Sequence, residues 1–507
     1  MDNREYIIGI DIGSSSVVMA AGVRDEQSGE VSILGVEVQE IEDCVKDGDI
    51  TNYIELGNAI GKAKAALEGE VGRKINSAYI GISGRSVYCV RYEDYVEIND
   101  KTGCVTENEL RELNARIEMV VPGGGDDIID RIPLRYTIDE HQHVKNPLGA
   151  FGRKLSATYL FVLVGKHQID RINRALHRAD IKVCGLCVNP TLLPELLLSN
   201  DEKEEGVAIV DIGSDLTDIS IVREGKLWYF SSLPIGASSI NNDLHEFLKI
   251  SRKDVDQLKK RYGSAIAAGV PDNTTVPVKT AGHAKKQILQ RNIAEIAEER
   301  MKDIAGFVMR ELKVAKFSTK LSCGVVLTGG SAYLSGIEEL FARELDMEVR
   351  LGRMLNGLDD ESQQSVSAFP QSAVIGLLLY GAKHNACETM PEIVRQNSVE
   401  TKPTVVEPEK KDIFTPVQNN NEEKAPIPDN SYKPIEENEQ EKEQEVVKPD
   451  VEPNNGEQIK TQPNDEVEKG EKSTEQQPKE EPKKTQKSGW MDRFRHWVDD
   501  MFTDEYI

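Results

Sequence analysis

One short pattern occurs twice in this chain and restricts its fold more than any other feature. Ile8-Gly9-Ile10-Asp11-Ile12-Gly13-Ser14-Ser15-Ser16 returns about 200 residues later as Ala208-Ile209-Val210-Asp211-Ile212-Gly213-Ser214-Asp215-Leu216-Thr217-Asp218. Each copy is a β-branched run, a turn at Asp-x-Gly-Ser and a second apolar run, Val17–Ala21 or Ile219–Val222. That pattern predicts a strand–turn–strand hairpin used twice. The separation is too long for a solenoid repeat, so two homologous halves facing each other are expected. Glycine lets backbone N–H groups approach an anion, and serine adds a hydroxyl donor. An aspartate at the strand end holds a hydrated Mg²⁺ through its waters. Either copy alone reads equally well as an ordinary Asp-Gly turn. Two together point to a triphosphate and its metal, gripped from both sides.

A third element agrees. Val325-Val326-Leu327-Thr328-Gly329-Gly330-Ser331 is an apolar strand broken by two glycines, and a helix is predicted from about Ile337 to Glu344. Such a junction brings backbone close to a phosphate or a flat ring. It is not a Walker A loop, because no Gly-Lys-Ser/Thr follows.

In this order, the two Asp-x-Gly-Ser turns and the Leu-Thr-Gly-Gly-Ser junction resemble the actin, Hsp70 and sugar-kinase superfamily. Arg131-Ile132-Pro133-Leu134-Arg135-Tyr136-Thr137-Ile138-Asp139, followed by Val144-Lys145-Asn146-Pro147-Leu148-Gly149, resembles the inserted subdomain of the bacterial FtsA family. Leu233-Pro234-Ile235-Gly236, Asn242-Asp243 and Leu258-Lys259-Lys260-Arg261-Tyr262-Gly263 are similar to the FtsA segment after its second phosphate loop. The chain departs from that family at Ser16, where Lys is common, and at Asp215 and Leu216 in the second turn.

The resemblance implies a two-lobed α/β, actin-like (ribonuclease-H-like) fold. Residues 1–85, with 166–200 and about 370–391, would form the first lobe, and 86–165 the inserted subdomain. Residues 201–369 would form the second lobe, with an outer subdomain at about 237–322. It also implies ATP with Mg²⁺ between the lobes: Gly13, Ser14, Ser15, Gly213, Ser214 and Thr217 around the phosphates, and Gly329, Gly330 and Ser331 against the adenosine. Asp11 and Asp211 would hold the hydrated metal. Hydrolysis is expected to be weak or absent. Implied partners are the chain itself, in filaments, and the C-terminal peptide of the tubulin-like FtsZ. For that peptide Lys285, Lys286, Arg291 and Arg300 are the candidate cations, although a solvated helix face paired with Glu295, Glu298 and Glu299 explains them nearly as well.

Composition separates a tail from this body. Residues 392–487 hold 24 acidic and 15 basic residues with many Pro, Gln and Asn. Such a segment buries too little apolar surface to offset its chain entropy and reads as a linker. Aromatic residues return in 488–507. There Trp490, Phe494, Trp497, Val498, Met501 and Phe502 fall on one face at helical spacing. That face predicts an amphipathic helix lying in the inner face of the membrane, at the division septum if the resemblance holds. The longest apolar run, Tyr159–Val164, is too short to span a bilayer. The opening residues lack a signal-peptide h-region, so a cytosolic body is expected.

A formal net charge of −25 argues against a general nucleic-acid binder. Cys184 and Cys187 read as core thiols rather than a redox pair, and His141/His143 have no companion ligands for a metal. A sugar kinase and an actin-like component of a pilus or secretion platform are the alternatives. The tail disfavours the first, and the fold alone does not exclude the second.

Overall fold

The computed structural model describes residues 6–279, 285–354, 356–366 and 371–384. They form one compact unit built on two five-stranded sheets of the same design. The first sheet runs Lys182–Val188 (β11), Ser77–Ile82 (β6), Tyr6–Ile12 (β1), Ser16–Arg24 (β2), Val31–Glu40 (β3). Its first three strands are parallel and its last three antiparallel. The second sheet repeats that plan as Val349–Leu351 (β18), Val325–Thr328 (β17), Val207–Ile212 (β12), Thr217–Arg223 (β13), Lys226–Leu233 (β14). Again the first three strands are parallel and the last three antiparallel.

The central strands β1, β2, β12 and β13 are buried along nearly their whole length. Strands covered on both faces have no polar side to alternate with, which explains their unbroken Val/Ile runs. Helices supply the covers. One, Tyr53–Val71, starts where the Asn52 side chain accepts the N–H groups of Ile54 and Glu55, and it stops at Gly72, whose φ is 70°. Another, Ser372–Lys383, is buried along most of its length against the first sheet.

A third sheet leaves the first lobe after β6. It runs Val87–Glu97 (β7), Lys154–Gly165 (β10), Asp126–Ile138 (β8), Gln142–Val144 (β9). Helix Glu107–Glu118 covers it, capped reciprocally by Thr106 and Glu109. Val96, Leu113, Ile117, Leu155, Tyr159 and Phe161 give this insert a core of its own. Two small hairpins, Val45–Lys46 (β4) with Asp49–Ile50 (β5) and Thr275–Lys279 (β15) with Lys285–Leu289 (β16), complete the strands.

The chain passes between the lobes twice. Helix Asn189–Leu197 leads from β11 towards β12, and after β18 the chain returns to the first lobe, where Leu358 bridges Val31. The two passages are bound side by side. Asn356 Nδ2 donates to the carbonyls of Glu195 (3.1 Å) and Leu198 (3.0 Å), and Arg350 Nη2 donates to that of Leu197 (3.0 Å).

Candidate functional site

Both turns singled out in the sequence close in the same way. Gly13 N–H donates to the Ser16 carbonyl at 3.0 Å, and Gly213 N–H donates to that of Leu216 at 2.9 Å. Asp215 and Leu216 therefore do not disrupt the second turn. Among the described residues, no acceptor takes the amide N–H of Ser14, Ser15, Ser214 or Asp215. Clustered free amides of this kind bind anions.

The aspartates end the two first strands and meet between the lobes. Burial pushes Asp211 up to about 8, and the charges of Asp218 and Asp11 add to it. Burial likewise raises Asp11 to about 6, against the hydrogen bond from Asn189 and with the charge of Asp218. Asp218 is raised to about 6 by burial, opposed by the Ser232 hydroxyl, which donates to it at 2.5 Å. Asp11 and Asp211 keep part of their surface open, whereas Asp218 is buried. Three carboxylates thus face one another across the lobes, and among the described residues none of them forms an ion pair.

Asp218 and Asn189 are site residues that the sequence reading passed over. The register puts Asp218 directly opposite Asp211 in the β12–β13 hairpin, and a facing pair of acids was the available signal. Asn189 opens the helix that carries the chain between the lobes. Its Nδ2 donates to Asp11 Oδ1 at 2.8 Å, while the next residue, Pro190, accepts the Ser220 hydroxyl of β13 at 2.8 Å. Among the described residues, Asn189 Oδ1 is a buried polar atom with no partner.

At the junction after β17, Gly329 has a φ of 88°, and a Cβ there would lie 2.2 Å from Asp211 Oδ1. Only glycine fits that position. Gly330 is exposed, and nothing lies within 4 Å of where its Cβ would be. Ser331 Oγ donates to the Gly213 carbonyl at 3.4 Å, tying the junction to the second turn.

Two expected residues lie elsewhere. Thr217 is fully buried and donates its hydroxyl to the Ile235 carbonyl at 2.8 Å. It holds the segment after β14 against the turn instead of lining the cleft. Arg300 is 1% exposed inside helix Gln290–Val314, where it makes a two-pronged ion pair with Asp243 at 3.0 and 3.1 Å. It is therefore not a docking cation. Lys285 and Lys286 are exposed on β16, and Arg291 pairs with Asp272 and Glu295. Cys187 is a free, buried thiol, but Cys184 is disulfide-bonded, which corrects the expected pair of thiols. Trp490, Phe494, Trp497, Val498, Met501 and Phe502 lie outside the described residues.

Comparison with known proteins fits this geometry. The family profile described as "Cell division protein FtsA" matches residues 208–371, and that of the "SHS2 domain inserted in FTSA" matches 84–163. The chain resembles the FtsA family of cell-division proteins. It is 29% identical to FtsA of Pseudomonas aeruginosa over 385 residues, covering 74% of this chain and 89% of that protein. With FtsA of Bacillus subtilis it is 27% identical over 352 residues, covering 69% and 79%. Among solved structures, a chain of a "PilM-PilN type IV pilus biogenesis complex" shares the fold, with a TM-score of 0.53 at 15% identity, covering 75% of this chain and 99% of that one. The fold is thus actin-like, with an FtsA-type insert. Among the described residues no helix is long and apolar enough to cross a membrane.

Proposed function

We propose that this chain is an ATP-binding, actin-like division protein that assembles at the septum and tethers the FtsZ ring to the cytoplasmic membrane. The observation that carries the nucleotide part is the convergence of two glycine turns with free amides on three carboxylates whose pKa values are all raised. Carboxylates forced together without a cation hold protons they would otherwise lose. A Mg²⁺ held here through water by Asp11, Asp211 and Asp218 would supply positive charge to set against phosphate. Among the described residues no three acidic, imidazole or thiol groups lie close enough to ligate a metal directly. That suits a hydrated Mg²⁺, whose waters reach Asp11, Asp211 and Asp218. The unpartnered oxygen of Asn189 would accept from the same waters.

The chain's own residues then divide the work. The free amides of Ser14, Ser15, Ser214 and Asp215 receive phosphate oxygens, and Gly330 leaves room beside the junction for the nucleoside. Calorimetry tests this with Gly330→Val. A Cβ there meets no atom within 4 Å, so the melting temperature should hold while ATP affinity falls about tenfold or more, a loss of about 1.4 kcal/mol or more. Unchanged affinity would sink the nucleotide reading.

The tether rests on the aromatic spacing of 488–507, and the FtsZ contact on the exposed Lys285 and Lys286. A chain ending at Lys487 should lose sedimentation with liposomes and keep ATP binding. Charge reversal at both lysines should slow association of the FtsZ peptide and make it more sensitive to salt. Full liposome binding by the truncated chain removes the anchor, and intact peptide binding at low salt removes the lysines.

A further inference from the structure

The insert meets the second lobe along a groove of a different chemistry. Strand β7 is an edge of the insert's sheet and β14 an edge of the second lobe's sheet. They touch where Cys89 Sγ and the backbone of Phe230 hydrogen-bond, at 3.3 and 3.4 Å. Beside that contact lie two cavities of about 240 Å³ each, which share Arg91, Ala315 and Lys316 in their walls. Leu160, Tyr229 and Val314 line one of them, while Arg135, Trp228, Phe317 and Lys320 line the other.

The floor of the second cavity is aromatic and its rim is cationic. Trp228 and Phe317 are buried. Arg135 lies 4.6 Å from the Trp228 ring centre, Arg91 lies 5.9 Å from it and 5.8 Å from that of Phe317, and Lys320 lies 5.6 Å from the Phe317 ring. Among the described residues, Arg91, Arg135, Lys316 and Lys320 form no ion pair with a carboxylate. Only Arg223 on this rim is paired, with Glu224 at 3.7 Å. Elsewhere, cations of this acidic chain such as Arg116, Lys302 and Arg350 sit on carboxylates. Arg135 Nη1 lies 3.0 Å from His143 Nε2; a guanidinium lying over a ring still presents its remaining N–H groups to a planar anion.

We propose that this groove receives an acidic, extended segment of a partner protein. Its carboxylates would pair with Arg91, Arg135, Lys316 and Lys320, and an apolar side chain would enter the cavity lined by Leu160 and Val314. A recessed groove between two sheet edges suits a peptide better than a flat membrane surface. The chain's excess negative charge repels such a segment elsewhere, so the groove supplies selectivity as well as attraction.

The test uses the full chain carrying Trp490→Phe and Trp497→Phe, which leaves Trp228 as the only tryptophan. The probe is a short fluorescein-labelled peptide of alternating Glu and Leu, with a Lys–Leu peptide as control. The Glu–Leu peptide should bind, perturb Trp228 emission, and weaken as salt rises. Arg91→Glu with Lys316→Glu should reduce its affinity about tenfold or more, as for charge pairs at an interface. Lys316→Ala with Lys320→Ala, whose side chains hold no ion pair, should give a smaller loss and guards against misfolding of the first variant. Binding that survives both variants, or equal binding of the Lys–Leu peptide, overturns the proposal. So does a change in Trp228 emission on adding phosphatidylglycerol vesicles that Arg91→Glu with Lys316→Glu abolishes, which would give the groove to the membrane.

Discussion

The two lobes share a strand order, a hairpin and a turn, yet their central carboxylates live under different conditions. In the first hairpin Asp11 faces Val18; in the second, at the matching register, Asp211 faces Asp218. Asp11 is held by Asn189, whereas no hydrogen bond opposes the rise of Asp211. The first aspartate is therefore raised to about 6 and the second to about 8. The two hairpins share the shape of the site, and their electrostatics differ through single residues on neighbouring strands. The second hairpin carries the heavier charge and so depends more on a cation.

The largest effect should come from closing the space that keeps backbone against Asp211. Gly329→Val combines a positive φ with contacts at 2.2 Å to Asp211 and 2.7 Å to the Ile212 carbonyl. We expect a loss of about 3 kcal/mol or more in urea unfolding. In the first lobe, Gly81 approaches only side chains, Asn189 Oδ1 at 2.5 Å and Asp11 Oδ1 at 3.5 Å. Gly81→Val should cost less, and an equal cost would break the contrast.

The next effect sharpens the electrostatic difference. A carboxylate whose folded pKa lies above its unfolded value keeps a proton that the unfolded chain has lost. Stability is therefore intact below the unfolded value of 3.8 and falls as pH rises towards about 8 for Asp211, but only towards about 6 for Asp11. Without Mg²⁺, Asp211→Asn should melt above the parent chain at pH 8 and level with it near pH 4. A domain of this size shifts roughly 2–4 °C per kcal/mol. Asp11→Asn should gain less, because it also disturbs the Asn189 bond. Matching pH profiles for the two variants would mean that the lobes are electrostatically alike. The smallest effect is reserved for Ser331→Ala, which removes a long 3.4 Å bond to Gly213. Its cost in stability should be about 0.5 kcal/mol or less.

Much of this was legible in the chain. The two Asp-x-Gly-Ser turns and the Gly-Gly junction announced themselves, because tight turns and close backbone approach need particular residues. Asp218 stood in the second motif without a role, because its role depends on register: two residues beyond the turn, it faces Asp211 only once the hairpin is paired. Arg300 was misread for a reason that spacing could have caught. It continues the row Ile293, Ile296, Ala297 and Ile304 on the buried face of its helix, and the charge drew attention outward while the period pointed inward. Thr217 shows a different limit. Whether a threonine beside a glycine turn offers its hydroxyl to a ligand or to Ile235 is decided by the returning chain after β14, which no local pattern records.

Where the chain crosses between lobes, the two passages lie together, pinned by Asn356 and Arg350 to carbonyls of residues 195–198. Two crossings bound at one place define a hinge axis, and the carboxylate cluster bridges the lobes that it joins. Like charges there would push the lobes apart, and a cation shared between them would draw them together. A change of one or two charges at the cluster thus acts with leverage on everything the outer parts of both lobes present to their neighbours.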